Sequence, residues 1–324
     1  MHIVTGTNIY DTVLDGSIIT IGNFDGVHRG HSEIFRHLKQ QSVERELPSV
    51  VVTFEPHPLK ILAPQSAPML ITTFEQKSAL IEQSGIDYLI VIPFSKELSQ
   101  VPANDFVCNI LCRSLGMRHI IIGHDYAFGK GREGNFNTLE QLGALHGFTL
   151  EDLPPIGDSD VVFSSSLVRS SITDGDMYTA AHILGRYYQI SGTVVHGREI
   201  GHSLGFPTAN IASNNELIPS DGVYAVMVDV DGQSVKGACN IGCNPTFGGS
   251  TRSIEVFLLD FSGRIYDHEI SIKFVQRLRS VQKFSDGAVL RAAIAHDVAN
   301  TRLILEHLNT NDLKLNRRLD CCVH

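Results

Sequence analysis

The sequence predicts an α/β domain built on a parallel sheet, followed by a small antiparallel β-barrel or sandwich. Two changes of texture carry this. In the first half, apolar runs alternate with helical patterns, which favours strands covered by crossover helices. Beyond Tyr187, short β-rich runs are separated by glycine, asparagine and aspartate turns, the spacing of a small closed or sandwiched sheet. The length of 324 residues accommodates about two such domains.

In chain order, apolar strands are expected at Ser17–Ile21, Ser49–Phe54, Tyr88–Pro93 and His119–Gly123, with helices at Ser32–Glu46, Thr73–Ser84 and Asn104–Leu115. The proline-rich stretch Pro56–Pro68 reads as a loop. Asp152–Ser159 is a second loop, after which Ser166–Asp174 and Met177–Leu184 resume helical spacing. The β-rich half offers Tyr188–His196, Gly222–Val230, Ser234–Ile241, Ser253–Asp260 and Glu269–Leu278, then a closing helix at Ser285–Leu308. The boundary is expected near Gly185, giving domains 1–185 and 186–310 and a polar tail 311–324. There is no internal repeat.

Composition narrows the classes of function. A hydrophobic fraction of 43% and a charged fraction of 19% describe an ordinary soluble globular protein. The net charge of −9 argues against nucleic-acid binding, which needs a basic face. No apolar stretch reaches the length of a membrane span, and Met1–Gly6 lacks the features of a signal peptide. A cytoplasmic protein is expected. The six cysteines show no zinc-site spacing, and Cys108 and Cys112 read as one helical face.

The segment Thr20-Ile-Gly-Asn-Phe-Asp-Gly-Val-His-Arg-Gly-His31 joins a strand to a helix through a glycine-rich turn. Loop amides and a helix N-terminus hold phosphate well, and the imidazoles of His28 and His31 add donors. The chemistry suggested is attack on the α-phosphate of a nucleoside triphosphate; the spacing alone equally fits two surface histidines. Thr53-Phe-Glu-Pro-His-Pro58 puts His57 at the carboxyl edge of the sheet, where ligands of open α/β sheets collect, or else as a buried, satisfied histidine. Gly123–Gly134 follows a strand at the same edge, so Asp125 is placed to meet a ribose or base unless the segment is a plain surface loop. In Ser164-Ser-Ser-Leu-Val-Arg169 a serine caps a helix while facing phosphate, and Arg169 neutralises pyrophosphate charge; capping without function is the alternative. In the second half, Gly197–Asn210 ends on Thr208 and Asn210, two hard oxygen donors on one side of an extended segment, or a turn with two satisfied polar groups. Glu255 lies opposite Ile254 and Val256 in an apolar strand, either a base at the barrel mouth or a solvated residue. Arg279 stands near a strand end, where it can meet a phosphate or a flat ring, or simply be solvated.

Six segments in order resemble the bacterial bifunctional riboflavin kinase/FAD synthetase family: Gly22–His31, Phe54–Pro58, Gly123–Gly129, Ser164–Arg169, Gly205–Asn210 and Asn240–Phe247. The likeness runs from about Thr20 to Asp286. It implies a Rossmann-like nucleotidyltransferase domain joined to a six-stranded antiparallel riboflavin kinase barrel with a C-terminal helix. It implies that riboflavin and ATP give FMN, and that FMN and ATP give FAD and pyrophosphate. Gly22, Phe24, Asp25, His28, His31, Asp125, Ser164, Ser165, Ser166 and Arg169 would then bind the ATP of adenylyl transfer, with His28, His31 and Arg169 active in catalysis. Gly197, Gly205, Pro207, Thr208 and Asn210 would bind the kinase ATP, Thr208 and Asn210 would hold Mg²⁺, and Glu255 would be the base. Asn23, His57 and Arg279 would contact flavin. Two departures touch the kinase half: Val281 stands where the family usually carries an acid, and Arg198-Glu199-Ile200 where it carries Asp-Lys-Arg-type residues.

Three other readings remain at this stage. One is a single-function FMN adenylyltransferase whose barrel only senses flavin. Another is an RNA-binding or aminoacylation module, which the acidic charge disfavours. The third is a flavin-storage protein, which would leave the phosphate-facing residues without a use.

Overall fold

The computed structural model describes residues 1–6, 13–123, 126–158, 161–197, 205–246 and 249–308, and of residues 243–246 and 249–251 the backbone alone. The chain forms two compact units, Met1–Met69 with Phe74–Ser164, and Leu70–Thr73 with Ser165–His324.

The first unit is built on a six-stranded sheet of β1 (His2–Thr5), β2 (Ser17–Ile21), β3 (Ser49–Glu55), β4 (Tyr88–Pro93), β5 (Met117–Gly123) and β6 (Thr149–Leu153). Every pairing is parallel, in the order β1-β4-β3-β2-β5-β6. Both faces are covered. Ile19, Val50, Val52 and Ile120 join one apolar layer with Val107, Leu111 and Leu139, while Ile18, Val51, Leu89 and Ile121 join the other with Phe35, Leu38 and Ile81. Neighbouring residues thus serve opposite layers, which is why the central strands read as unbroken apolar runs.

The covering helices are α1 (Arg29–Glu44), α2 (Pro58–Leu62), α3 (Phe74–Gln83), α4 (Ala103–Asp105), which runs on into a π-helix over Phe106–Ser114, and α5 (Phe136–His146). A short antiparallel pair, β7 (Gly157–Asp158) and β8 (Val161–Val162), follows. From β2 the chain steps one way to β3 and β4, then returns to lay β5 on the other flank of β2. The carboxyl ends of β2 and β5 therefore border the topological switch point, where an open α/β sheet leaves a ligand crevice.

Three local departures from the sequence reading have physical causes. The Pro56–Pro68 stretch contains α2, because Pro58 occupies its first turn, where a missing amide costs nothing. The helix expected over Asn104–Leu115 is mostly wound as a π-helix, on which Cys112 packs against the apolar layer and Cys108 bonds His146 Nε2 at 3.0 Å. The edge strands β1 and β6 carry no apolar run, since each leaves most of its residues partly or fully exposed.

The second unit opens with α6 (Ser165–Asp174) and α7 (Met177–Leu184), which group with the barrel rather than with the sheet. α7 packs against strands β9 and β14, introduced next, and Arg277 Nη2 donates to Asp221 O at 2.6 Å. The barrel comprises β9 (Tyr188–Val195), β10 (Thr208–Ser213), β11 (Gly222–Val230), β12 (Gln233–Thr246), β13 (Gly249–Leu258) and β14 (Glu269–Arg279). It is closed and antiparallel, in the order β10-β13-β12-β11-β14-β9. β10 is the stave absent from the list of expected strands. α8 (Gly287–His307) starts where the Asp286 carboxylate accepts the amides of Ala288 and Val289. Its Leu305 lies with Ala225, Met227 and Val275 on the outer wall. Among the described residues no helix is long and apolar enough to cross a membrane.

Candidate active sites

On the first unit, the loop after β2 is held by an aromatic chain rooted in the core. Phe35 is fully buried, Phe24 meets it edge-on at 4.9 Å, and His31 meets Phe24 at 5.2 Å. His28 then stacks on His31 with 3.6 Å between centroids and 23° between planes. Phe24 (φ 48°) and Val27 (φ 39°) hold left-handed backbone that side chains disfavour; both bury their side chains, which offsets the strain. His28 is the N-cap of α1 and makes no side-chain cap bond there, while a Cβ on Gly30 would lie 3.0 Å from its ring. Glycine at position 30 therefore admits the imidazole. Gly22 ends β2 by donating its amide to Val52 O at 3.1 Å, and Asn23 follows it.

Around this loop the carboxyl ends of β2 and β3 carry a charge cluster, buried at Asp25 and Lys77 and half-exposed at Glu55. Asp25 is buried. Lys77 of α3 is 7% exposed, with its Nζ 3.6 Å from Glu55 and 3.4 Å from Thr53 Oγ1. Burial pushes the Lys77 ammonium down from the ordinary lysine value, against the opposing pull of Glu55 and Asp25. Lys77 did not emerge from the motifs, yet a signal existed. Phe74, Lys77, Ser78 and Ile81 fall at i, i+3, i+4 and i+7, so a lysine sits on the core-facing stripe of a helix. His57 is buried, and its Nδ1 accepts the Leu59 amide at 3.2 Å as the cap of α2.

Arg29 lies 4.9 Å over the Phe163 ring, which brings the chain entering Ser164 past the first turn of α1. Ser165, Ser166 and Arg169 belong to α6 in the other unit, with Ser166 exposed and Ser165 and Arg169 half-buried. Asp125 lies outside the described residues. Past it, Phe128 and Gly134 exchange backbone hydrogen bonds of 3.0 and 2.9 Å, so the glycine-rich segment closes on itself.

On the second unit, register brings the kinase candidates together. Asn210 of β10 and Asn240 of β12 both pair with Glu255 of β13, and Thr208 pairs with Phe257. Ile254, Val256, Cys239 and Ile241 are buried between them, so Asn210, Glu255 and Asn240 form one row on the outer wall rather than at the mouth of the barrel. Directly paired residues stand about 5 Å apart, close enough for one small ligand to touch all three. Phe206 packs edge-on to Phe257 at 5.4 Å beside Thr208. Gly205 (φ 84°) turns the chain into this segment, and Pro207 is exposed. A side chain on Gly197 would collide with the Asn210 amide. Arg198-Glu199-Ile200 and Phe247 lie outside the described residues. Asn240 received no role in the sequence reading, although it stood inside a quoted motif.

The same row continues through Val223 to Arg279, three strand spacings or about 14 Å from Glu255. Arg279 is committed there. Its Nε and Nη2 donate to Asp297 of α8 at 3.0 and 2.7 Å, and its guanidinium lies 5.6 Å over Phe284. Among the described residues no three His, Cys, Asp or Glu side chains cluster as a metal cage. The hard-oxygen set of Thr208, Asn210 and Glu255 suits an ion that keeps water and phosphate as its other ligands.

Comparison with known proteins matches each half separately. The FAD synthetase family model covers residues 11–167, and the riboflavin kinase family model covers residues 184–305. A bifunctional riboflavin kinase/FMN adenylyltransferase of Pseudomonas fluorescens is 39% identical over 94% of this chain and 98% of its own length. The protein of that name from Escherichia coli K12 is 35% identical over 93% of this chain and 97% of its own. A solved structure from Streptococcus pneumoniae, described as a macrolide-efflux protein, superposes with a TM-score of 0.85 at 28% identity, covering 93% of this chain and 99% of that one.

Proposed function

The chain belongs to the bifunctional riboflavin kinase/FMN adenylyltransferase family, and from that membership we infer how its residues divide the work. It is an enzyme with two activities: ATP phosphorylates riboflavin to FMN, and a second ATP adenylylates FMN to FAD with release of pyrophosphate. Riboflavin, FMN and ATP are its substrates. The single-function alternative is not favoured, because the kinase model matches residues 184–305.

For adenylyl transfer, the nucleophile is the FMN phosphate itself, so no protein nucleophile is needed. An FMN phosphate oxygen bonds to the α-phosphorus as the bond to pyrophosphate breaks. The protein's task is to hold both partners and spread the charge. The stacked His28 and His31 at the head of α1 suit this, with Gly22, Phe24 and Asp25 shaping the loop. Ser164, Ser165, Ser166, Arg169 and Asp125 are assigned to the same nucleotide on their motifs. Asn23 and His57 are assigned to the flavin, with His57 also fixing the turn into α2.

For phosphoryl transfer, the ribityl 5′-hydroxyl is a poor nucleophile, which gives Glu255 its use as the acceptor of that proton. Gly197, Gly205 and Pro207 shape the ATP loop. Both families use ATP, typically with a divalent metal. Thr208 and Asn210 would hold Mg²⁺, which when bound neutralises charge on the transferred phosphate. A flavin with its hydroxyl at Glu255 extends along the row towards Arg279, which shapes the far end through Asp297.

The observation that carries this reading is the Asn210–Glu255–Asn240 row, an acid flanked by two amides in direct strand register, with the Thr208 hydroxyl two residues along β10. Incubation with riboflavin, ATP and Mg²⁺ tests it: FMN should rise first and FAD follow. FAD formed from added FMN, with none from riboflavin, would remove the kinase assignment.

A further inference from the structure

Lys77 is a buried cation to which the division of roles above gives no part. It sits at the carboxyl edge of the sheet in a unit where the strained loop needs an anchor. Its Nζ donates to Thr53 Oγ1 at 3.4 Å, and Thr53 Oγ1 donates in turn to the backbone carbonyl of Asn23 at 3.3 Å. A hydroxyl that accepts from an ammonium is polarised and donates more strongly on its other side. The relay ends one residue before Phe24, where left-handed backbone begins, and four residues later the loop delivers His28 to the head of α1. Left-handed non-glycine residues persist only where their surroundings over-determine them. Phe24 is held by its ring; the carbonyl just before it is held by this relay. Glu55 at 3.6 Å and the buried Asp25 balance the ammonium, so a charge otherwise costly to bury is kept in place.

We propose that Lys77 is a positioning residue for adenylyl transfer: acting through Thr53 on the Asn23 carbonyl, it fixes the loop that aims His28 and His31. The proposal rests on the assignment of those imidazoles to the ATP of FAD formation. A loop displaced by about 1 Å loses rate more than affinity, by up to about a hundredfold.

The full-length enzyme with Lys77→Met, Thr53→Val, both together, and separately His28→Ala tests it. FAD formation from FMN and ATP is measured for kcat and KM, FMN formation from riboflavin serves as an internal control, and circular dichroism melting reports folding. Lys77→Met and Thr53→Val should each lower kcat for FAD formation about 10- to 100-fold with the ATP KM changed less than about threefold. The double variant should be no worse than Lys77→Met alone within about threefold, as members of one relay are not additive. FMN formation should be unchanged. Lys77→Met removes the charge 3.6 Å from Glu55; should it fail to fold, Thr53→Val, which removes only the hydroxyl, decides. A folded single variant with kcat within about twofold of the unsubstituted enzyme overturns the relay. Full FAD formation by His28→Ala would instead overturn the site assignment beneath it.

Discussion

Gly197 shows how much one missing side chain can matter. Its bare backbone leaves the space that the Asn210 amide fills, so in Gly197→Ala that amide must shift from its place beside Glu255 while the strand register holds. The expected outcome is a fall of about 10- to 100-fold in FMN formation, with FAD formation from supplied FMN intact, read by separating the two products. His28, His31, Thr208 and Asn210 stand out in the sequence as candidates because each lies in a short contiguous motif. Lys77 and Asn240 do not, for different reasons. Lys77 depends on a contact between a helix and two strand ends far apart in the chain, and its only local trace is a charge on an apolar stripe. Asn240 acquires meaning only from register, since it faces Glu255 across β12 and β13. Glu255 itself was correctly set opposite Ile254 and Val256, but alternation alone cannot say whether a face turns to the mouth or to the outer wall.

Single side chains also tie whole elements together. Asp87, just ahead of β4, accepts from Ser49 N and Oγ at the start of β3 and from Lys39 of α1. Burial opposes ionisation of Asp87, but the Ser49 hydrogen bonds and Lys39 outweigh it and hold the carboxyl below its ordinary value. Its contribution is therefore present above the unfolded-state pKa and fades as pH falls through the lower folded one. Asp87→Asn should cost about 1 kcal/mol near neutrality, discounted for solvent screening, and the gap to the unsubstituted protein should close as pH falls below the ordinary aspartate range in denaturant titrations. Arg279 and Asp297 form the comparable tie between β14 and α8, with the Asp297 side chain only 6% exposed. Arg279→Met strands that carboxylate and should destabilise the second unit by about 3 kcal/mol, seen as an earlier melting transition. The central strands were legible because burial on both faces makes them continuous apolar runs. β1, β6 and β10 were not read as strands because partly exposed, short or polar staves lack that signature. The π-helix over Phe106–Ser114 was missed because its composition is that of an α-helix.

At the scale of the molecule, two units with different architectures carry two phosphate chemistries. A parallel sheet offers a switch-point crevice at the ends of β2 and β5, suited to grip ATP where its α-phosphorus is attacked. A closed barrel offers a rigid outer wall on which an acid and hard-oxygen donors stand in register, suited to transfer of the γ-phosphate. The change of texture after Tyr187 announced that division, although α6 and α7, expected before the boundary, group with the barrel. The most direct test is a crossed assay in which His28→Ala and Glu255→Gln are each given riboflavin or FMN with ATP and Mg²⁺. His28→Ala should accumulate FMN and stall, while Glu255→Gln should convert FMN to FAD and leave riboflavin untouched. Loss of both activities in either variant, with melting unchanged, would contradict the separation of the two sites.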